Sequence, residues 1–222
     1  MPDKDYYPNI AIDGPAGAGK SSVTREVSRR LKLRYLDTGA MYRAITLKLL
    51  QESVDITDLD LIAKTLENTD IKLNDQEEVF LDGKPVTAEI RSSEVNRLVS
   101  PVSAIPIVRR RLVEMQQAIA KESEGIVMEG RDIASKVMPD ADFKFFLDAS
   151  IEERARRRRK EQLDKGIEMT EQEVIAEIKN RDIIDSGRED SPLTRVWDAV
   201  VIDTTNMAFD AVVDKIVGLV RG

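Results

Sequence analysis

The chain has 222 residues, enough to bury a substantial core as one domain or as a domain carrying a large insertion, and its 41% hydrophobic and 34% charged residues are ordinary for a soluble globular enzyme. A net charge of −7 disfavours non-specific nucleic-acid binding, and the absence of cysteine and histidine removes disulfides, thiolate chemistry, Cys- or His-ligated zinc and imidazole-based triads. Residues 1–9 are polar, without the apolar core of a signal peptide, and no apolar run approaches membrane-spanning length, so the expectation is a cytoplasmic protein with neither a membrane nor a nucleic-acid partner.

The first predicted element is a short buried strand at Ile10, Ala11 and Ile12. It runs into Gly14-Pro15-Ala16-Gly17-Ala18-Gly19-Lys20-Ser21, which fills every fixed position of the phosphate-cradling pattern G-x-x-x-x-G-K-[ST]. Behind it Val23, Val27 and Leu31 recur every four residues as one face of a helix. A strand, loop and helix in this order present backbone N–H groups and a positive helix end to a nucleoside triphosphate. Lys20 then neutralises the outer phosphates, Ser22 lies in the first helical turn, and the Ser21 hydroxyl is the expected protein ligand of Mg2+ bridging the last two phosphates.

A second strand ends at Tyr35 and Leu36, and a helix is predicted over 40–51. Between Asp70 and Thr87 short strands at 71–73, 79–81 and 85–86, with Asp82-Gly83 as a turn, suggest a small antiparallel insertion. Further strands are predicted at 126–128, between Gly125 and Gly130, at 143–147 and at 200–202. Ser150 with Glu153, and Thr170 with Glu173, have capping-box spacing and mark the starts of two helices joined around Lys165-Gly166. The pattern predicts an α/β fold: a doubly wound parallel sheet with flanking helices, its ligand beyond the C-terminal strand ends. The expected division is a P-loop core of residues 1–69 and 88–222, with a helical lid at about 154–188 and 70–87 as the antiparallel part of the insertion.

The two capped helices carry the arginines. Arg154, Arg157 and Arg158 share one helical face and are expected to close together on the triphosphate, and Arg181, Asp185 and Arg188 recur at four- and three-residue spacing. A solvated, ion-paired surface with Glu152, Glu153 and Glu161 is the plain alternative. Phosphoryl transfer shifts the balance, because its catalysis is mostly positioning and neutralisation of negative charge. A hydroxyl acceptor would need a general base, whereas a nucleotide monophosphate, with a second pKa of about 6, is already nucleophilic at neutral pH.

Three stretches resemble the motifs of bacterial cytidylate kinases: Asp37-Thr38-Gly39-Ala40-Met41-Tyr42-Arg43, Gly130-Arg131-Asp132, and Arg181-Asp182-Ile183-Ile184-Asp185-Ser186-Gly187-Arg188. The resemblance runs in order from the phosphate loop to the last strand, and the insertion resembles the monophosphate-binding domain of these enzymes. It implies transfer of a phosphoryl group from ATP to CMP and dCMP. On that resemblance Asp132 receives the cytosine amine and Ser100 and Arg109 are the other base contacts. Arg43, Arg131 and Arg181 hold the acceptor phosphate, Asp185 meets the ribose, and Thr38 and Tyr42 line the pocket. Arg188 is implied near the transferring phosphates; with Lys20 of the loop, Arg158 of the first capped helix and Arg131 it makes up the expected catalytic set.

Each of these residues also has a structural alternative, Asp37 or Thr38 as a helix cap and Asp132 as a salt-bridge partner among them. Glu129 stands where the family pattern has aspartate, and Ala134-Ser135 replaces Gly-Thr. Rival readings are a kinase for UMP or a purine monophosphate, and a GTPase switch, whose N-K-x-D motif is missing; Asp203-Thr204-Thr205-Asn206 does not supply it. With no heptad pattern, a monomer is expected.

Overall fold

The computed structural model describes residues 7–164 and 166–222, so Lys165 of the predicted helix junction lies outside the described residues. In chain order the elements are β1 (Ile10–Asp13), α1 (Lys20–Leu31), β2 (Arg34–Asp37), α2 (Thr38–Gln51), α3 (Leu59–Glu67), β3 (Ile71–Leu73), β4 (Val79–Leu81), β5 (Lys84–Pro85), α4 (Ser93–Ala104) and α5 (Pro106–Glu122). They continue as β6 (Ile126–Gly130), β7 (Phe143–Asp148), α6 (Ile151–Asp164), α7 (Glu171–Gly187), β8 (Val200–Asp203) and α8 (Phe209–Arg221). Among the described residues no helix is long and apolar enough to cross a membrane.

The main sheet is five-stranded in the order β2-β6-β1-β7-β8, and every neighbouring pair is parallel. Side chains alternate across a strand, so β1 and β6 feed two cores. Ala11, Ile126 and Met128 join Met41, Ile45, Ile62 and Leu112 on one face. On the other, Ile10, Ile12 and Val127 meet Val27, Phe145, Ile202, Val213 and Ile216, covered by α1 and α8. A third, small cluster of Ala155, Val174 and Ile178 belongs to α6 and α7 alone.

The antiparallel insertion forms as a sheet in the order β3-β4-β5, turned by Asp82 and Gly83 at φ 50° and 77°, both in the left-handed region that a tight hairpin needs. Ile71, Val79 and Leu81 of this sheet join the first core, so the insertion is packed onto α2 and its neighbours. Helix α2 starts two residues before the predicted position because Asp37 caps it, its carboxylate accepting from Ala40 N–H at 3.1 Å. The Thr170 capping box is complete. At Ser150 only half forms: its hydroxyl accepts from Glu153 N–H at 3.2 Å, while the Glu153 carboxylate turns to Arg156 and Arg157 at 2.7 Å.

Candidate active site

The phosphate loop can only be built with glycine at its bends. At Gly14, with φ +152°, a Cβ would lie 2.0 Å from the Leu147 carbonyl oxygen, and at Gly17, with φ +79°, it would press on Arg154 Cβ at 3.0 Å. Lys20 folds back over the loop, its ammonium donating to the Gly14 and Pro15 carbonyls at 2.7 and 2.8 Å. Burial, reinforced by the Arg131 charge, pushes that ammonium well below the usual lysine range. Ser21 Oγ donates to Glu129 Oε2 at 2.9 Å, and the Tyr35 hydroxyl donates to Glu129 Oε1 at 2.5 Å. The longer glutamate at this strand end therefore reaches the Ser21 hydroxyl. Burial, with Asp37 close by, raises the Glu129 carboxyl to about 7.

A cavity of about 760 Å³ runs from this loop across the C-terminal ends of the strands. Residues 16–22 line one end, while Gly14 and Pro15 lie behind it and hold Lys20. On the far side α2 contributes Thr38, Tyr42 and Arg43. The Thr38 hydroxyl donates to the Glu129 carbonyl at 2.6 Å, and Arg43 donates to Asn96 Oδ1 at 2.5 Å. Beyond β6, Arg131 and Asp132 enter the same cavity. The turn after them is held by Asp13, whose carboxylate oxygens accept from Ile133 and Ala134 N–H at 3.0 and 2.8 Å. Burial raises the Asp13 carboxyl to about 6.

Arg109 of α5 is 1% exposed and is paired with Asp132. It also donates to the Ser103 carbonyl at 3.1 Å and lies over the Tyr42 ring, 5.5 Å from its centroid. A buried acceptor thus sits beside a buried planar donor. Ser100 does not line the cavity. Its carbonyl accepts from Ser103 Oγ at 2.8 Å, and Ser103, one turn further along α4, is the serine at the cavity wall.

Asp185 of α7 gathers the remaining arginines. Arg131 Nε donates to it at 2.7 Å, Arg188 pairs with its other oxygen, and Arg181 lies 3.9 Å away. Burial opposes the charged form, but the Arg131 and Arg188 charges outweigh it and hold the Asp185 carboxyl down at about 2. Arg181 is pushed down to about 9 by burial, with the Arg131 charge adding to the effect.

The predicted three-arginine face of α6 divides. Arg157 and Arg158 line the cavity, Arg157 donating to Thr204 O and Oγ1 at 2.7 and 2.9 Å and to Ala18 O at 3.3 Å, Arg158 pairing with Glu161 and Glu177. Arg154 is behind the loop instead. It is 8% exposed and donates to Ala149 O at 3.0 Å, Ala16 O at 3.2 Å and Asp182 Oδ2 at 2.6 Å. Helical spacing set the shared face but not how far along the helix the loop would sit. The cavity also takes in Arg91, Met207 and Phe209, which lie outside every motif, and Asp37, which opens one of them; Asp13, not among the expected site residues, is a carboxylate directly before the loop.

The donor-loop and acceptor motifs thus meet in one cleft, and relatives match nearly the whole chain. The family model described as cytidylate kinase matches residues 10–222. The cytidylate kinase of Caldanaerobacter subterraneus subsp. tengcongensis is 52% identical over 212 residues, covering 96% of this chain and 94% of that one. The cytidylate kinase of Bacillus subtilis (strain 168) is 47% identical over 216 residues, covering 96% of each chain. A solved structure of an uncharacterized protein from Eubacterium ventriosum shares the fold, with a TM-score of 0.53 at 13% identity over 97% of this chain and 99% of that one. On the extent and identity of these matches, the chain belongs to the cytidylate kinase family.

Proposed function

We propose that the protein transfers the γ-phosphoryl group of ATP to CMP and dCMP, giving ADP and the cytidine diphosphate. The observation that carries this is the continuity of one cavity from Lys20 and the phosphate loop, past Arg131, Arg181 and Asp185, to the buried Arg109–Asp132 pair. Its length order suits two nucleotides laid end to end. At the far end, Asp132 accepts from the cytosine amine and Arg109 donates to the ring nitrogen and carbonyl; uracil would set its own carbonyl against the carboxylate.

Between the two ends, Arg43, Arg131 and Arg181 receive the acceptor phosphate, and Asp185 accepts from the ribose hydroxyl. Lys20, Arg158 and Arg188 neutralise the transferring group. The acceptor phosphate oxygen forms the new P–O bond as the bond from the γ-phosphorus to the β-bridging oxygen breaks, and ADP leaves with those electrons. No side chain has to take a proton, consistent with the histidine-free sequence. The donors at the Ser21 end are hard oxygens, a hydroxyl and the Glu129 carboxylate, which suits Mg2+. Mg2+ would supply charge neutralisation of the β- and γ-phosphates. The segment at about 154–188 acts as a lid that excludes water, supported by the separate small core of α6 and α7.

The test is ADP formation with CMP, dCMP, UMP, AMP and GMP as acceptors, with Lys20→Ala as the control that abolishes turnover. CMP and dCMP should be strongly preferred; equal or better turnover of a purine refutes the proposal.

A further inference from the structure

Helix α7 presents consecutive side chains to two different places. Arg181 and Asp185 face the cavity where the acceptor phosphate and ribose are proposed to bind. Asp182, between them in sequence, does not line that cavity; its Oδ2 accepts from Arg154 Nη1 at 2.6 Å. The same Nη1 donates to the carbonyl of Ala16, at the crest of the phosphate loop, at 3.2 Å. Arg154 Nε is tied to Ala149 O at 3.0 Å, and Gly17 rests so closely on Arg154 that a Cβ there would lie 3.0 Å from its Cβ and 3.1 Å from its carbonyl oxygen. The other Asp182 oxygen, Oδ1, is buried with no hydrogen-bond partner among the described residues, so its carboxylate is oriented chiefly by this arginine.

We infer that Asp182 is a positioning residue which, through Arg154, couples the crest of the donor loop to the acceptor side chains of α7. Neither residue lines the cavity. Arg154 is too far under the loop to line the cavity, and Asp182 points away from the acceptor. The pair spans the two nucleotide sites by the shortest covalent route on α7, one residue from Arg181 and three from Asp185. When the loop closes on a triphosphate, the Ala16 carbonyl and Arg154 set where Asp182, and with it Arg181 and Asp185, can sit. When a monophosphate fixes Arg181 and Asp185, the same pair fixes the loop. Such coupling is reciprocal by thermodynamic necessity. The inference rests on the proposed assignment of the loop to the donor and of α7 to the acceptor.

The test uses the full chain with Asp182→Asn, Asp182→Glu and Arg154→Met, and the double variant of Asp182→Asn with Arg154→Met. Binding of a non-hydrolysable ATP analogue is measured by calorimetry with and without saturating monophosphate, alongside KM and kcat for each substrate and thermal unfolding. The wild-type substrate panel tests the functional proposal alone, and coupling is measured with whichever monophosphate the wild type phosphorylates. In the wild type each nucleotide should tighten the other. In Asp182→Asn that mutual enhancement should fall by about tenfold, the scale of one lost charge-assisted hydrogen bond, with the binary affinity for monophosphate kept within about twofold. Asp182→Glu should recover part of it, and the double variant should couple no worse than Arg154→Met. A wild type without mutual enhancement, or an Asp182→Asn variant that loses only thermal stability while the coupling persists, overturns the inference. Should Asp182→Asn not fold, Asp182→Glu and Arg154→Met carry the same comparison.

Discussion

Replacing Asp132 by asparagine tests base recognition at its most exposed assumption, that a buried carboxylate selects an amine over a carbonyl. The side chains of Arg109 and Asp132 are 1% and 5% exposed, so the hydrogen-bond inventory of the site is not smoothed by solvent. A carboxylate only accepts. Cytosine offers it an amine, whereas uracil offers a second acceptor and leaves two buried oxygens facing one another. That mismatch is worth roughly 1–3 kcal/mol, about 5- to 150-fold in kcat/KM. Asparagine carries an acceptor and a donor on the same frame and can satisfy either base, so the penalty against uracil is lost.

For Asp132→Asn the ratio of kcat/KM for CMP over UMP should therefore fall by about 10- to 100-fold, chiefly because UMP improves or holds while CMP loses its charge-assisted bond. Stability should suffer moderately. Arg109 keeps the Ser103 carbonyl and the Tyr42 ring but loses its counter-charge, and retention of an acceptor limits the cost to about 1–2 kcal/mol, against roughly 3–5 kcal/mol for outright removal of a buried partner. In a chain of this size that corresponds to a fall in Tm of about 2–8 °C. Coupled ADP-formation kinetics on both substrates, with circular dichroism to confirm folding, measure each quantity. A folded variant whose CMP-to-UMP ratio is unchanged refutes the reasoning.

Three further outcomes follow from separate parts of the structure. Gly17→Ala forces a Cβ into a φ of +79° and against Arg154, so thermal unfolding should move down by about 2–8 °C, for roughly 1–2 kcal/mol of strain, and the KM for ATP should rise. Asp13 titrates at about 6 in the folded chain against an ordinary 3.8, so its contribution to stability is fully present below pH 3.8 and is lost as the pH rises through 6. The stability of the wild type relative to Asp13→Asn, from urea unfolding, should accordingly decline by about 2–3 kcal/mol between pH 4 and 7; a flat difference would exclude this titration. Amide exchange in residues 151–187 should slow when both nucleotides are bound, because α6 and α7 share only a small core of their own and can move as a unit; unchanged exchange there counts against a closing lid.

The strands were legible because buried parallel strands are short apolar runs, and the predicted and observed limits agree to within two residues at β1, β2, β6, β7 and β8. Helices α3, α4, α5 and α8 were not singled out. The Asp58 and Ser92 caps of α3 and α4 do carry a sequence signal, whereas α8 has Ala208 at its N-cap position and no side-chain cap. For the site, the motif order told which residues belong together, and the sheet supplies the reason. Register sets Asp37 beside Glu129 and Asp13 beside Gly130, so the ends of β1, β2 and β6 deliver their loops to one rim. What helical periodicity cannot supply is translation along the axis. It groups Arg154 with Arg157 and Arg158, yet Arg154 lies one turn from the residue that lines the cavity, just as Ser100, expected there from the family resemblance, lies one turn from Ser103.

That one-turn displacement bears on how the cleft works. The arginines around it are not waiting as bare cations: Arg131 and Arg188 share Asp185, Arg154 holds Asp182, Arg157 is on Glu153 and Arg158 on Glu177. Two nucleotides carrying several negative charges would therefore enter by exchanging partners, each phosphate replacing a carboxylate already in place. Asp185 is the pivot of this exchange, since it is almost fully buried and held near a pKa of 2 by cations that the acceptor phosphate must share. A carboxylate in that position keeps the arginines aligned without substrate and leaves them only partly neutralised, so the site is preorganised at a smaller electrostatic cost than a cluster of unpaired guanidinium groups would impose.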